Sequence, residues 1–270
     1  MTTMTTTVRN ESACARASEC ATGHFLARYA SWLMGCGATC IRIEKNVSRI
    51  ARTYGKRVEI TVMPRHIQLS VFDADNEYEC MTLNTSVQAI PVDFTINTEL
   101  SSLSWRISDT CMPLERATEE FERIISRKRP DQRLVLPAVA CANMAFCRLF
   151  GGDAVAMCVV GLATLAGYWL KIRLLERRAD VRAVFVVCAF VSSVLGCTGL
   201  LFGVGGTPAV ALGTSVLYLV PGIPLLNSFS DLLYRHYICA FGRFADAVVL
   251  TCCLSAGLCL GMMVMKVGMF

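Results

Sequence analysis

The stretch Leu219-Val-Pro-Gly-Ile-Pro-Leu-Leu-Asn-Ser-Phe-Ser-Asp231 holds the chain's most unusual chemistry. Pro221 and Pro224 lack an N–H, and Pro221 pushes Val220 out of the α region, so a regular helix cannot run through them. Pro224 suits the first turn of a fresh helix, which the sequence places near Ile223. Within a membrane a broken helix exposes backbone dipoles, as at transporter substrate sites. A helix N-terminus favours an anionic group such as a carboxylate. Asn227, Ser228, Ser230 and Asp231 follow within two turns. The plainer alternative is the cytoplasmic end of a span turning onto the surface, with Asp231 and Arg235 as an i,i+4 pair on a solvated face.

Other polar residues sit in or near apolar runs: Asn143, Arg148, Ser192, Ser193, Thr214, Ser215, Tyr218 and Asp246. Ionisable groups inside a membrane are costly and tend to face a pathway. Arg148 can pair with a substrate carboxylate or snorkel to outer headgroups. Asp246 can pair with Arg243 or relay a proton, and the hydroxyls suit bonds to a neighbouring helix. Gly257 and Gly261 form a G-x-x-x-G packing face. No paired nucleophile and base stands out, and His24 and His66 are isolated. Asp73-Ala-Asp-Asn-Glu77 reads as a hairpin turn, because it lacks the glycine and final Glu of a calcium loop. Cys36 and Cys40 with His24 upstream lack the second pair that zinc-site spacing wants, so no metal is expected.

These residues need a membrane to position them. Of the 270 residues, 54% are hydrophobic and 17% charged, and the apolar excess falls after Arg133. Five candidate spans follow: 134–150, 154–171, 183–204, 208–226 and 244–265. Each is near the ~20 apolar residues needed to cross. Basic clusters lie before the first (Arg123, Arg127, Lys128, Arg129, Arg133), between the second and third (Lys171, Arg173, Arg177, Arg178, Arg182), and between the fourth and fifth (Arg235, His236, Arg243). The connections at Gly151-Gly152-Asp153 and Gly203-Val204-Gly205-Gly206 carry none. That alternation predicts a cytoplasmic N-terminal part and an outer C-terminus, with Lys266 and Arg148 dissenting. The net charge of +5 is therefore read as membrane-related, and the first two clusters, without interleaved aromatics, argue against a nucleic-acid surface. Fifteen cysteines, odd in number and irregular in spacing, argue against a disulfide framework. Those in apolar runs read as small packing residues. The first 20 residues lack the apolar core of a cleavable signal.

Ahead of the spans, residues 1–21 read as disordered and 22–133 as an α+β domain. Helices are predicted over 22–35, capped by Thr22, and over 39–54, ended by Gly55. Val58, Ile60, Val62 and then Ile67, Leu69, Val71 alternate as two strands joined at Pro64-Arg65. Residues 78–84 and 88–94 suggest two more, the last demoted by Pro91. Helices over 97–108 and 113–126 complete the domain, the second capped by Asp109 or Thr110. The fold class predicted is a five-helix transmembrane bundle over 134–270, preceded by a small α+β cytoplasmic domain.

Three segments give this chain a family resemblance. Gly37-Ala-Thr-Cys-Ile-Arg-Ile-Glu44 followed by Arg49, Phe146-Cys-Arg-Leu-Phe-Gly-Gly-Asp153, and Pro221-Gly-Ile-Pro-Leu-Leu-Asn-Ser-Phe-Ser-Asp231 with Gly242-Arg243 resemble signatures of the threonine/serine exporter family. The first agrees approximately and the third is the most specific. The resemblance runs from about Gly23 to Phe270 and implies export of small carboxylate-bearing metabolites, with no catalytic triad and no cofactor. Full-length members continue into a second membrane half, and this chain is similar to the split branch, in which a separate small membrane protein supplies that half. Succinate export is associated with the pair, so a dicarboxylate and threonine or serine both stand as cargo. On this reading Pro221, Gly222, Pro224, Asn227, Ser228 and Asp231 shape the substrate site. Arg243 and Asp246 lie near its cytoplasmic mouth, and Arg148 is a further candidate contact. Partners are the second-half protein, the carboxylate and the lipid bilayer of the inner membrane, with homo-oligomer formation left open. The rival readings are a membrane-anchored hydrolase and a regulatory or scaffold subunit without transport.

Overall fold

The computed structural model describes residues 20–73, 80–88, 90–127, 131–203 and 205–267. The tail expected to be disordered falls outside them except for its last two residues, which are helical, and so does the turn expected over Asp73–Glu77 except for Asp73, which ends a strand. The chain forms two compact units. One comprises the residues up to Arg127 together with Ile223–Phe244; the other comprises Lys128–Gly222 and Ala245–Phe270.

The first unit opens with helix α1 (20–35), which buries Phe25, Leu26, Tyr29 and Leu33. Its end is a Schellman turn: Ala38 N–H donates to Leu33 O at 3.2 Å and Gly37 N–H to Met34 O at 3.0 Å. Gly37 sits at φ +89, and a Cβ there would meet Val92 Cγ1 at 2.7 Å, so this position needs glycine. Helix α2 (Cys40–Thr53) follows and buries Ile43, Val47, Ile50 and Ala51 along one face. Strands β1 (Lys56–Val62), β2 (His66–Asp73) and β3 (Cys80–Ser86) form an antiparallel sheet in that order. Val62 stands opposite Ile67 across the Pro64-Arg65 turn, and Leu69 opposite Leu83. The alternation read from the sequence turns Ile67, Leu69 and Val71 into the core. Helices α3 (Phe94–Thr110) and α4 (Leu114–Ile125) close it with Leu100, Leu103, Ile107 and Phe121.

Several boundaries differ from the sequence reading. Thr22 lies inside α1 and does not cap it, and the third strand runs to Ser86. The described residues of 88–94 form no strand, and α3 begins at Phe94 because Asp93 accepts from Thr95 N–H at 2.9 Å and Ile96 N–H at 3.1 Å. Neither Asp109 nor Thr110 caps α4. Both still belong to α3, Cys111 turns left-handed at φ +45, and Pro113 holds the cap position.

The second unit is helical. Asp131, Asp153 and Asp180 each accept a hydrogen bond from a backbone N–H at the start of α5 (Gln132–Leu149), α6 (Ala154–Glu176) and α7 (Val181–Gly196). A short α8 (Thr198–Phe202), α9 (Pro208–Ser215) and a 3-10 turn (Leu217–Leu219) follow. The chain then breaks at Val220-Pro221 before α10 (Gly222–Leu233) and α11 (Tyr237–Val264).

Among the described residues three helices are long and apolar enough to cross a membrane: Ala154–Glu176, Val181–Phe202 and Tyr237–Val264. Pro208–Leu219 and Gly222–Leu233, separated by a break, qualify together as a fourth. Helix α5, expected as the first span, carries Gln132, Arg133, Pro137, Asn143 and Arg148 within its 18 residues and is not among them. The last helix starts at Tyr237, earlier than the 244 expected, and includes Arg243.

Candidate functional site

Two of the segments singled out in the sequence meet in the first unit. Asn227 Nδ2 donates to Gly37 O at 2.8 Å, and an Arg243 N–H donates to Ala38 O at 2.8 Å. Asp231 Oδ1 accepts the Cys40 N–H at 2.8 Å. The side chains of α10 and α11 thus satisfy the end of α1 and the start of α2. Thr39, which holds the cap position of α2, makes no side-chain cap bond, so Asp231 supplies the cap from elsewhere in the chain. Ser228 Oγ donates to Ala240 O at 2.8 Å and ties α10 to α11. A Cβ on Gly242 would come within 2.5 Å of Pro64 Cγ, which gives the Gly242-Arg243 pair its glycine.

Asp231 is fully buried, and Arg243 NH1 lies 3.0 Å from its Oδ2. That contact is an ion pair without hydrogen-bond alignment. Both sulfurs of Cys40 and Cys239 stand beside it, and both residues are fully buried. The hydrogen bond to Cys239, with burial added, pushes the Cys40 thiol well above the usual thiol range. The two thiols share that hydrogen bond and so titrate as a coupled pair beside Asp231 and Arg243.

The turn between α10 and α11 is a second Schellman motif. His236 N–H donates to Asp231 O at 2.8 Å and Arg235 N–H to Leu232 O at 3.1 Å. Arg235 occupies the left-handed position at φ +66. It therefore lies beyond the helix, and Asp231 pairs with Arg243 rather than with Arg235.

The second unit carries an uncharged polar seam. Asn143 Nδ2 donates to Thr164 Oγ1 at 2.6 Å and to Thr214 O at 3.1 Å, joining α5, α6 and α9. Ser192 Oγ and Tyr218 OH share a hydrogen bond of 2.9 Å beside Gly167, where a side chain would collide with both oxygens. At the end of α5, Gly151 is left-handed at φ +84, and Arg148 NH1 donates to Gly152 O at 3.1 Å. Asp153 accepts from the N–H groups of Ala156 and Gly206, which hold its carboxyl below the usual range. Its own N–H donates to Thr207 Oγ1 at 2.9 Å, so the two connections lacking Lys and Arg meet.

Of the residues predicted for a site, Asn227, Ser228 and Asp231, on the helix that Pro224 helps to start, and Arg243, on α11, come together in the first unit. Pro221, Gly222, Arg148 and Asp246 belong to the second unit, where Pro221 is buried and Asp246 exposed. Arg243 pairs with Asp231 and not with Asp246. His24 and Cys36 take no part in the cluster around Asp231. Sequence reasoning passed over Thr164 and the Gly37 and Ala38 carbonyls. It also left Cys239 unnamed, since no spacing rule links it to a residue as distant in the chain as Cys40.

Long apolar helices with buried polar groups among them mark a membrane protein, with three to four candidate spans among the described residues. The chain belongs to the threonine/serine exporter family: residues 24–265 match the family model described as "Putative threonine/serine exporter". It is similar to the "Probable succinate transporter subunit YjjP" of Klebsiella aerogenes, at 26% identity over 86% of this chain and 90% of the relative. The protein of that name in Escherichia coli K12 is 24% identical over 82% of this chain and 85% of its own length. No solved structure matches.

Proposed function

We propose that this chain is one subunit of an exporter of small carboxylate-bearing metabolites, either a succinate-like dicarboxylate or threonine and serine. It works with a separately encoded second membrane protein. The observation that carries the reading is the break at Val220-Pro221, within a helix pair apolar enough to cross a membrane. The first N–H groups of a helix have no partner within it, and its N-terminus carries partial positive charge. Helix α10 begins at Gly222, whose N–H donates to Val220 O at 2.9 Å, and Pro224 has no N–H, so the N–H groups of Ile223 and Leu225 are what its start offers a carboxylate. Pro221, Gly222 and Pro224 shape this site, and Asn227, Ser228, Asp231 and Arg243 form its frame. Asp246 lies towards the cytoplasmic mouth, and Arg148 is a further anion contact. The seam of Asn143, Thr164, Ser192, Thr214 and Tyr218 supplies neutral donors along the helices. The subunit naming of the relatives supports a second polypeptide.

In this proposal the chain crosses the inner membrane five times, with α5 as the first crossing and residues 134–270 as the membrane domain. Residues 22–133 form a cytoplasmic domain, and the C-terminus is outside. The meeting at Asp153 of the two connections that lack Lys and Arg supports that arrangement, since both then lie on one side.

Efflux of labelled succinate and threonine from cells lacking their own exporters tests the reading, with the chain expressed alone and with its second-half protein. Efflux of one substrate only when both proteins are present is the expected result. No efflux of either, with both proteins assembled, would overturn it.

A further inference from the structure

We propose that Cys40, Cys239 and Asp231 form a binding site for a thiophilic divalent cation of the zinc class. The two sulfurs and a carboxylate oxygen lie within 4.8 Å of one another, and all three residues are buried. They come from the first residue of α2, from α11 and from α10, so the site ties three elements at one point. Tetrahedral zinc with Zn–S bonds of about 2.3 Å sets two sulfurs roughly 3.8 Å apart. The observed cluster, within 4.8 Å throughout, is close to that size.

The carboxylate is poised to ligate. Asp231 Oδ1 accepts a single N–H from Cys40, and the buried Oδ2 has no hydrogen bond although Arg243 NH1 is 3.0 Å away. Arg243 and the Cys40 N–H hold the carboxylate as outer partners hold ligands in built metal sites. Charge is conserved as well. With both thiols protonated, the two thiols, one carboxylate and one guanidinium sum to zero. Binding follows M²⁺ + 2 RSH → M(SR)₂ + 2 H⁺, with no change of oxidation state. Two thiolates, the carboxylate, the guanidinium and the cation again sum to zero. A buried site tolerates such an exchange, whereas gaining net charge there would be costly. Thiolate ligands select zinc-like ions over magnesium or calcium. Three protein ligands leave the fourth position to a non-protein ligand. The inference does not depend on the exporter reading, because it uses only the ligand set.

The full-length protein, purified in detergent under reducing conditions, is titrated with Zn²⁺ against a chromophoric chelator and with Cd²⁺ by thiolate-to-metal absorption. The wild type is expected to hold one more tight Zn²⁺ per chain than Cys40→Ser/Cys239→Ser, with a matching loss of Cd²⁺ absorption. Cys147→Ser/Cys188→Ser removes as many buried thiols and is expected to keep the wild-type count. Should the first double variant fail to fold, Cys239→Ala alone gives the same readout. Equal Zn²⁺ counts in the wild type and in folded variants lacking Cys239 would overturn the proposal. So would a Cys40–Cys239 disulfide found by peptide mapping of the reduced preparation.

Discussion

Replacing Asp231 by Ala is expected to cost about 3–5 kcal/mol of stability, the usual penalty for removing one partner of a buried ion pair. Asp231 is fully buried and the Arg243 side chain is 13% exposed, so solvent does little to screen the charge left behind. The same substitution strips the Cys40 N–H of its acceptor. A buried donor without a partner adds about 1–3 kcal/mol. Arg243→Met is expected to be comparably damaging, since it strands the Asp231 carboxylate and frees the Ala38 carbonyl. The double variant Asp231→Leu/Arg243→Met removes both charges and should recover part of the loss. Recovery stays incomplete because the Cys40 and Ala38 backbone groups remain unpaired. Denaturant unfolding in detergent measures all three. Additive losses in the double variant would mean that the two residues do not act as a pair.

The second large effect is expected at Gly257. A Cβ there would collide with the Val186 carbonyl oxygen, sit 2.8 Å from Ala189 Cβ and lie 3.1 Å from Phe190 N. Two of those neighbours are backbone atoms of α7, which cannot rotate away. Gly257→Leu should therefore destabilise at or above the usual ~1–3 kcal/mol of overpacking. Gly261→Ala meets Ser193 Oγ, a side chain that can turn, and should cost less than Gly257→Ala. Gly213, with nothing within 4 Å of a built Cβ, is the control. Gly213→Ala should be neutral or stabilising by up to ~1 kcal/mol through helix propensity. Apparent melting temperatures of the variants in detergent give the ranking. Gly257→Ala as mild as Gly213→Ala would contradict the close approach of α11 to α7.

Local patterns were legible in the sequence. The alternation of Val58, Ile60 and Val62 with Ile67, Leu69 and Val71 gave both strands and their turn, because a half-buried sheet enforces period two. The prolines at 221 and 224 gave the break. The start of α3 was misplaced, since Asp93 carries its cap signal just after a stretch that looks strand-like. The start of α11 was set too late for a different reason. Arg243 reads as a loop residue until Asp231 neutralises it, and then the helix runs through it. The site was legible as two motifs but not as one place. Gly37-Ala38 reads as a helix stop, and nothing in its spacing says that Asn227 and Arg243 will bond its carbonyls. The Cys40–Cys239 approach is likewise a product of tertiary packing.

The central claim is that the broken helix handles a carboxylate, and its most direct test is flux through the reconstituted pair. The chain and its second-half protein are placed in liposomes, and counterflow of labelled succinate and threonine is measured for wild type and for Pro221→Ala/Pro224→Ala. The double variant restores the missing N–H groups and lets the helix run on, while Asn227, Asp231 and Arg243 are untouched. With folding and assembly intact, flux of the transported substrate is expected to fall at least about tenfold, a rise in barrier of ~1.4 kcal/mol or more. Flux equal to wild type in the assembled variant would contradict the account and move the substrate site away from the break.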